Sequence, residues 1–565
     1  MLRRLFSLIM VLTILVPGLF IQAQEPAVTV APSLAAQADA RLSRWFDANQ
    51  PGAAVLLIQD GKVLFKKGYG LANVELGVPM QPDNVFRIGS VTKQFTAAAV
   101  MLLVEESKVD LQAPISRYLE KLPKTWVSVT VEQLLNHTSG IPNYTDSKDY
   151  WKHMREDLTP IQLLELSVNK LPLDFESGTQ MRYTNTGYIL LGMMIEKVSG
   201  QPYARFLQKR IFEPLNLKHT RYDSVTDLIP GMVSGYTLGP NPAYFWSVTQ
   251  KYAAGGLVSN AEDLARWTLA LHSGQVVKPE SLARMLTPTR LRNGKEEPYG
   301  YGLGFRQSQG NRLVGHGGSV SGFECYVEAD PTVKAAAVIL HNTDYYKVDN
   351  KYLARFLLSQ AAGKPIPELK PAAIEHSKLR RLTGWYTREG EFRFITFNGT
   401  TLFTQVLGGL KYTLIPISET EFALDGWDKQ LRFELAGDQV LGVHRLYAED
   451  PQEEPLQKRM DPIEDKDPKI TNMVKQGLRD TVEGTLKSDL FTPDCAAELF
   501  PDRVTQAAAF LKSLGQQTGI ALYAREERSG RYRYLYRVSY GEKNLIVRLW
   551  VEKNDLISDI WFDLE

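Results

Sequence analysis

Residues 86–93, Phe86-Arg87-Ile88-Gly89-Ser90-Val91-Thr92-Lys93, precede an apolar, alanine-rich run that continues to about Val104 without Gly or Pro. Such a run predicts an α-helix, with Ser90 at the N-cap position that serine favours. Ser90 and Lys93 are three residues apart and share a helix face. An ordinary lysine is a poor base, since its neutral form costs about 4.6 kcal/mol at pH 7. Burial supplies part of that shift, so the segment predicts a serine hydroxyl activated by an amine.

The Ser-x-x-Lys spacing alone has little specificity, because Ser167-Val168-Asn169-Lys170 has it too. Ser167 follows a leucine-rich helical run and precedes a Lys-Leu-Pro break, so we expect it at a helix end. Tyr183-Thr184-Asn185 is the only Tyr-x-Asn in the sequence. Its phenol can relay a proton, and its amide can bind a substrate carbonyl. A structural Tyr/Asn pair in a turn ending at Gly187 remains the alternative interpretation.

A third segment, His316-Gly317-Gly318-Ser319, follows the strand-like run Arg312–Gly315. Gly317 and Gly318 allow a substrate to lie against this backbone. On an edge strand, the N–H of Ser319 is placed to complete an oxyanion hole with the N–H of Ser90. This motif is also weak alone, because the similar His272-Ser273-Gly274 follows a helical run and indicates a helix C-terminus.

The composition excludes several classes of protein. The 565 residues carry 65 Lys and Arg against 64 Asp and Glu, a net charge of +1 that argues against a nucleic-acid partner. Hydrophobic residues at 44% and charged residues at 23% are typical of globular proteins. Two cysteines cannot form a disulfide framework or a multi-cysteine metal site, and no metal or cofactor is expected. Cys325 and Cys495, if they lie in different domains, are expected to be free thiols.

The N-terminus has the pattern of a secretory signal. Arg3 and Arg4 precede the apolar run Leu5–Val16, and the small residue Ala23 follows near a cleavage point. A retained anchor is the alternative, but the run is shorter than the roughly 20 residues that a membrane span requires. We expect residues 1–23 to be removed. The protein would then be periplasmic or secreted, with no stable membrane span after cleavage.

Composition shifts divide the rest of the chain into three parts, 24–365, 377–450 and 466–565. In the first, Ala53–Ile58 and Lys62–Lys66 flank an Asp-Gly turn and predict a hairpin, and Tyr352–Ala361 predicts a late helix. Ala362–Pro371 is rich in turn formers and predicts a linker.

The second part has short β-rich runs from Leu382 to about Tyr447 and predicts a small all-β domain. The charged, proline-containing segment Asp450–Lys469 predicts a second linker. The third part is expected to be an α+β module, with helices to about Gly515 followed by three strands, Tyr532–Ser539, Asn544–Val551 and Leu556–Leu564.

The order and spacing of the three polar motifs add specificity. Ser90, Tyr183 and His316 are separated by 93 and 133 residues. In this order the sequence resembles the serine β-lactamase and penicillin-binding-protein superfamily. The closest branch is the class C β-lactamase-like serine hydrolases, which include D-aminopeptidases, D-alanyl-D-alanine carboxypeptidases and esterases. The resemblance covers about residues 45–360 and includes the segments Phe86–Lys93, Leu134–Pro142, Ala254–Ser259 and Tyr299–Gly304.

The resemblance implies a role for each motif. Ser90 would be the nucleophile that forms an acyl-enzyme, and Lys93 and Tyr183 would share proton transfer. Asn185 would orient the acyl side chain, and His316 would polarise the site or contact a substrate carboxylate. The backbone N–H groups of Ser90 and Ser319 would bind the oxyanion beside Gly317 and Gly318. Relatives hold the loop containing His137 as framework.

The resemblance also implies a fold. Residues 24–365 would form an α/β (α+β) β-lactamase-like domain, with an antiparallel sheet flanked by helices and a helical subdomain. The run Leu382–Tyr386 resembles the start of lipocalin-like barrels, and residues 466–565 resemble cystatin- or NTF2-like α+β folds. Neither C-terminal domain contains residues that we expect to take part in chemistry.

One departure from the family pattern bears on the substrate. Members with β-lactamase activity carry Lys-Thr-Gly or Lys-Ser-Gly where this sequence has His316, a residue only partly charged at neutral pH. This predicts hydrolysis of peptides, amides or esters, peptidoglycan-derived peptides among them, rather than efficient β-lactam hydrolysis. A penicillin-binding-type protein that captures such peptides with little turnover, and an inert scaffold, remain the alternatives.

Overall fold

A computed structural model describes residues 32–565 except 238–239, 448–452, 529 and 542. The predicted signal segment, residues 1–23, lies outside the described residues. Within them, none of the helices combines the length and the apolar character that a membrane crossing needs.

A six-stranded antiparallel sheet forms the centre of the first domain. In spatial order its strands are Gly304–Ser308, Asn311–Val320, Phe323–Asp330, Ala335–His341, Ala53–Gln59 and Lys62–Tyr69. The last two strands pair across the Asp-Gly turn, which confirms the predicted hairpin. Alternate side chains of Ala53–Gln59 enter two different cores, one on each face of the sheet. Burial on both faces explains why this strand is apolar throughout instead of alternating.

Helices cover both faces of the sheet. Pro32–Leu42 and Asn350–Ala361 pack on one face, and Thr92–Glu105, hereafter the central helix, and Ala261–His272 belong to the core on the other. A helical subdomain adjoins the central helix and includes Val131–Leu135, Lys148–Lys152, Pro160–Ser167, Asn185–Ser199, Tyr203–Leu207 and Val248–Gly255. The predicted antiparallel sheet with flanking helices and a helical subdomain is confirmed.

The central helix begins one residue later than predicted. Gly89–Val91 form a 3₁₀ turn, the α-helix starts at Thr92, and Val91 occupies the N-cap without a side-chain hydrogen bond. The prediction that Ser90 caps the helix is therefore wrong, since its hydroxyl contacts the Lys93 amine instead. Ser167, by contrast, does end the helix Pro160–Ser167, where its hydroxyl donates to the carbonyl of Leu163.

The second domain is a closed antiparallel barrel of eight strands. They are Gly384–Arg388, Glu391–Phe397, Leu402–Val406, Lys411–Pro416, Glu421–Leu424, Lys429–Ala436, Gln439–Tyr447 and Gln457–Met460. The last strand pairs with both Gly384–Arg388 and Gln439–Tyr447 and so closes the barrel. It lies beyond residue 450, within the predicted second linker, so that boundary was placed too early. Its sequence, Gln-Lys-Arg-Met, lacks the alternation of apolar and polar residues that predicts a strand. The buried residue of this strand is the polar Gln457, which accepts a hydrogen bond from Arg393.

The third domain is an α+β module, as predicted. Three helices, Lys469–Glu483, Pro493–Leu499 and Asp502–Leu514, precede a four-stranded antiparallel sheet of Gly519–Arg528, Arg531–Tyr540, Lys543–Val551 and Ile557–Leu564. The first strand was missed, because its second half is charged and carries no apolar alternation. Cys495 lies here and Cys325 lies in the central sheet, and both are buried free thiols, as expected.

Charged residues join the barrel to the first domain. Asp428 of the barrel accepts two hydrogen bonds from Arg355, one of them at 3.0 Å from Nε. Arg306, on the first strand of the sheet, lies 3.8 Å from the same carboxylate and also pairs with the buried Glu328. Burial raises the pKa of Asp428 and the two arginines lower it. The ion cluster therefore ties the barrel to two elements of the first domain.

We expect Asp428→Asn to destabilise this contact, because it removes the counter-charge from a mostly buried guanidinium. Breaking one side of a buried pair typically costs about 3 kcal/mol. The matched control is Asp438→Asn, since Asp438 pairs with Arg381 on the barrel surface and is fully exposed. Differential scanning calorimetry should show a lower Tm for Asp428→Asn alone. Equal Tm values for the two variants would contradict the assigned role of the cluster.

Candidate active site

The Ser90 hydroxyl and the Lys93 amine meet at the start of the central helix. Lys93 Nζ lies 3.0 Å from Ser90 Oγ, as the Ser-x-x-Lys spacing predicts. The Lys93 side chain is fully buried, whereas Ser90 is half-buried. A substrate can therefore reach the hydroxyl while the amine stays away from bulk water.

Two further acceptors surround the Lys93 amine. Asn185 Oδ1 and the carbonyl oxygen of Ala254 each lie 2.8 Å from Nζ. A neutral amine has two N–H donors and one lone pair. If it donates to these two oxygens, the lone pair faces the Ser90 hydroxyl. Burial lowers the pKa of Lys93 well below its usual value, so the neutral base form is accessible.

The Ala254 carbonyl comes from a bent helix that sequence reasoning did not identify as part of the site. The helix Val248–Gly255 is kinked at Tyr252, whose backbone has φ 38° and ψ −130°. Just beyond the kink, the carbonyls of Ala253 and Ala254 accept hydrogen bonds from Thr96 and Lys93 of the central helix. Strained backbone of this kind persists where surrounding contacts hold it. Here the hydrogen bonds from Thr96 and from the Lys93 amine are among those contacts.

Tyr183 places its phenol at the same hydroxyl. Its ring centroid lies 4.8 Å from Lys93 Nζ, and Ser90 is the side chain that interacts with its hydroxyl. The ring is 38% exposed at the mouth of the site. Desolvation raises the pKa of Tyr183 and the Ser90 hydroxyl lowers it, leaving the pKa above its usual value. The phenol is thus protonated at neutral pH and can pass a proton on.

Asn185 is the first residue of the helix Asn185–Ser199. Its backbone N–H donates to Asn143 Oδ1 at 3.0 Å, and its Oδ1 accepts from Lys93. Its Nδ2 faces Thr145 Oγ1 at 3.5 Å. The side-chain amide is therefore fixed by groups on both sides, and it forms the wall of the site opposite the sheet.

The strand Asn311–Val320, hereafter the glycine strand, forms the other wall. The neighbouring strand Gly304–Ser308 pairs with the glycine strand only as far as Gly315. Beyond Gly315, the 3₁₀ turn Gly89–Val91 lies against the glycine strand. A Cβ on Gly318 would lie 2.0 Å from the Ile88 carbonyl oxygen, and one on Gly89 would lie 2.8 Å from the Ser319 nitrogen. This close approach requires glycine at both positions, and it sets the Ser319 backbone beside the segment that carries Ser90.

Cys325 holds the same two segments together from below. Its buried thiol lies 3.0 Å from the Ile88 carbonyl oxygen and 3.4 Å from that of Gly318. Burial raises the pKa of this thiol well above its usual value, so it stays protonated and acts as a hydrogen-bond donor. No sequence pattern indicates this role for Cys325.

His316 lies on the glycine strand with both ring nitrogens engaged. Nδ1 faces the Gly317 carbonyl oxygen at 2.5 Å, so Nδ1 carries the proton. Nε2 lies 2.9 Å from the Tyr299 hydroxyl and must accept from it in the neutral ring. Burial lowers the pKa of His316 to about 4.

His137 completes a relay through Tyr299. The His137 Nδ1 accepts from the Thr184 backbone N–H at 3.3 Å, so its Nε2 carries the proton and donates to Tyr299 Oη at 3.2 Å. The three groups therefore form one directed chain, from His137 through Tyr299 to His316. Burial lowers the pKa of His137 as well. The sequence pattern includes Tyr299 in a segment shared with the family but does not predict its link between two histidines.

This relay differs from the expectation for His316. A histidine that holds a substrate carboxylate needs a charged ring or a spare N–H directed at the substrate. Here the ring is neutral at physiological pH, and both nitrogens already have partners within the protein. His316 therefore packs beside Tyr183, at 6.1 Å between ring centroids, as a neutral group.

Comparison with known proteins places this geometry in a family. Residues 34–362, more than half of the chain, match the profile of the Beta-lactamase family. The chain belongs to the β-lactamase family.

Two relatives in this family match most of the chain. It is 27% identical to penicillin-binding protein 4* of Bacillus subtilis over 446 residues, which cover 73% of this chain and 96% of the relative. The octameric penicillin-binding protein homologue of Pyrococcus abyssi is similar in structure, with a TM-score of 0.54 and 27% identity, covering 76% of this chain and 98% of that one. A D-amino acid amidase of Ochrobactrum anthropi, in complex with D-phenylalanine, also matches at 27% identity, covering 55% of this chain and 92% of that one, with a TM-score of 0.46.

In this β-lactamase-family domain, the neutrality of His316 has a measurable consequence. We expect the pH profile of Ser90 labelling by a fluorophosphonate to have the same shape in wild type and in His316→Gln between pH 6 and 8. A group whose pKa is lowered to about 4 does not titrate in that range. Inflections shared by both proteins belong to other groups, such as Glu324 beside Ser319, whose pKa burial raises to about 7.

The contrary result is equally clear. An inflection near pH 6.5 that is present in wild type and absent in His316→Gln would show that His316 is charged during the reaction.

Proposed function

We propose that this protein is a serine hydrolase that acts through an acyl-enzyme on Ser90, with peptides, amides or esters as substrates. The observation that carries the proposal is the buried Lys93 amine, whose two other acceptors direct it at the Ser90 hydroxyl. Membership of the β-lactamase family supports the same chemistry.

Acylation follows from the positions of three groups. The neutral Lys93 amine takes the Ser90 proton as Oγ attacks the substrate carbonyl carbon, which gives a tetrahedral intermediate. When the bond to the leaving group breaks, the leaving group takes a proton from the Tyr183 hydroxyl, which regains one from the Lys93 ammonium. The product of this step is an ester on Ser90. A water molecule then attacks the ester carbonyl carbon and gives a proton to the neutral Lys93 amine. When the bond to Oγ breaks, Oγ takes this proton from Lys93, so the acid is released and both residues are restored.

The negative charge of the tetrahedral intermediate needs donors. We propose that the backbone N–H groups of Ser90 and Ser319 supply them, since the glycine strand lies against the 3₁₀ turn at this point. A donor of this kind is typically worth about 2.7–4 kcal/mol in the transition state. Gly317 and Gly318 leave the backbone open for a substrate to lie beside it.

The neutral His316 on the glycine strand supports a preference for substrates without a carboxylate next to the scissile bond. Neither nitrogen of His316 has a spare proton for a carboxylate, so this wall offers no fixed positive charge from that residue. We therefore favour amide and ester substrates over those whose binding depends on a free carboxylate next to the scissile bond. Efficient turnover of β-lactams, which carry such a carboxylate, is not expected.

We expect Ser90→Ala to abolish labelling by a fluorophosphonate or a fluorescent penicillin, because the variant lacks the reacting oxygen. Ser167→Ala is the matched control, since Ser167 has the same Ser-x-x-Lys spacing but ends a helix elsewhere. In-gel fluorescence measures the outcome, with circular dichroism to confirm folding. Labelling that persists in folded Ser90→Ala would remove Ser90 from the mechanism.

Lys93→Met should slow labelling by about 10²–10⁴-fold, the usual contribution of a general base. Lys170→Met, on the exposed second motif, should label at the wild-type rate. In wild type the labelling rate should fall as the pH drops through the lowered pKa of Lys93, because protonation removes the lone pair that accepts the Ser90 proton. A rate that instead rises toward low pH would exclude Lys93 as the base.

The alternative function is that of a penicillin-binding-type protein that is acylated without appreciable turnover. The Bacillus subtilis relative is named a penicillin-binding protein, which supports this alternative function. Intact-mass spectrometry separates the two functions. An adduct on Ser90 that persists with no released product supports the alternative, whereas multiple turnovers of an ester or D-amino-acid amide exclude it.

We also propose that the protein is exported, on the basis of the N-terminal pattern of residues 1–23. Expression of the full chain followed by mass measurement of the mature protein tests this. A mature mass that still contains residues 1–23 would contradict cleavage.

A further inference from the structure

Two segments that pack on each other, one of them linked to Asn185 through Thr145, expose aromatic side chains. Trp151 is 45% exposed, Tyr244 59% and Phe245 50%, and Trp246 is half-buried. These four residues are named the aromatic lip. Exposed apolar patches mark interaction sites or ligand-binding grooves, and ligand pockets are lined mostly by hydrophobic and aromatic side chains.

The aromatic lip is built on a fixed base. The rings of Trp151 and Trp246 lie 5.6 Å apart, and the buried Tyr150 lies beneath both, at 5.1 and 6.2 Å between centroids. The buried Gln250 ties the two segments together, because its Nε2 donates to the carbonyls of His153 and Glu156 at 2.7 and 2.6 Å. The rings of Trp151 and Trp246 are therefore held on a packed base, and Phe245 is the chain neighbour of Trp246.

A short chain of hydrogen bonds connects the aromatic lip to the reacting groups. Trp151 Nε1 donates to the Thr145 carbonyl at 2.8 Å, and Thr145 Oγ1 faces Asn185 Nδ2 at 3.5 Å. Asn185 in turn accepts from Lys93 at 2.8 Å. Two residues thus separate Trp151 from the amine, and the lip borders the site on the side away from the glycine strand.

Proton donation by Tyr183 determines which part of a substrate lies on the side of the aromatic lip. The leaving group must receive a proton, so it lies next to the Tyr183 hydroxyl. Tyr183 packs against His137, Tyr299 and His316, at 4.3, 6.4 and 6.1 Å between ring centroids. The leaving group therefore points toward the histidine side, and the acyl part extends the other way, past Asn185 and Thr145.

We propose that the aromatic lip is the subsite for an apolar side chain on the acyl part of the substrate that esterifies Ser90. The proposal rests on the serine hydrolase function given above and adds the substrate class to it. An aromatic or large aliphatic acyl side chain buries apolar surface against Trp151 and Phe245, whereas a small acyl group cannot reach them.

The experiment uses p-nitrophenyl esters that differ only in the acyl group, 3-phenylpropionyl against acetyl, with the full-length protein. Wild type should prefer the phenylpropionyl ester. In Trp151→Ala and Phe245→Ala the ratio of the two kcat/KM values should fall about tenfold, a usual effect of removing apolar contacts from a pocket. Trp151→Phe should retain most of the preference, because it keeps an aromatic ring in place.

Trp561→Ala is the matched control, since Trp561 is 56% exposed but lies on the last strand of the third domain. It should leave the ratio unchanged. An unchanged ratio in both Trp151→Ala and Phe245→Ala overturns the proposal, and so does an equal loss on both esters.

A second series varies the leaving group at constant acetyl. A loss of preference there in the lip variants would assign the lip to the leaving group and overturn the acyl assignment. Failure of the proposed function is a separate result. In that case wild type turns over neither ester, or does so equally well as Ser90→Ala.

Discussion

The candidate site depends on one buried amine with three oxygen neighbours. Its amine contacts Ser90, Asn185 and Ala254, which lie in three different parts of the chain. A lysine in this position is costly to bury while charged, and no carboxylate is among the groups that shift its pKa. The cost is lowest for the neutral amine, and the neutral amine is the form that can accept the serine proton. The same burial that makes the residue unfavourable as a cation thus makes it useful as a base.

The glycine strand imposes a second constraint, on distance. Gly318 meets the Ile88 carbonyl so closely that a methyl group in place of its hydrogen would overlap the oxygen. The Cys325 thiol donates to the same carbonyl from below. Two segments that are far apart in sequence are thereby pressed together where a substrate carbonyl would lie. Preorganised donors cost no rearrangement during a reaction, so in the proposed mechanism this packing would serve catalysis as well as stability.

Local patterns predicted the parts of the site that lie close together in sequence. The Ser90–Lys93 contact follows from helical spacing, and the Tyr183–Asn185 and His316–Ser319 segments follow from motif order. Groups supplied by tertiary packing left no such pattern. The Ala254 carbonyl is a backbone atom, exposed to the amine by a kink at Tyr252, and any residue type could have provided it. The barrel strand Gln457–Met460 was missed for a similar reason, because its burial is decided by polar partners across the barrel.

The barrel is more than an appendage on a linker, because it contacts the segment that supports the glycine strand. The Asp344 carboxylate accepts from the Gly322 backbone N–H at 3.1 Å, at the turn that follows the glycine strand. A few residues later, the Asp349 N–H donates to the Gly426 carbonyl at 2.9 Å, and the Trp427 indole donates to the Lys347 carbonyl at 3.2 Å. The segment between Asp344 and Asp349 therefore touches the turn at one end and the barrel at the other. The barrel thus contacts, through a few residues of backbone, the turn that follows the strand bordering the candidate site.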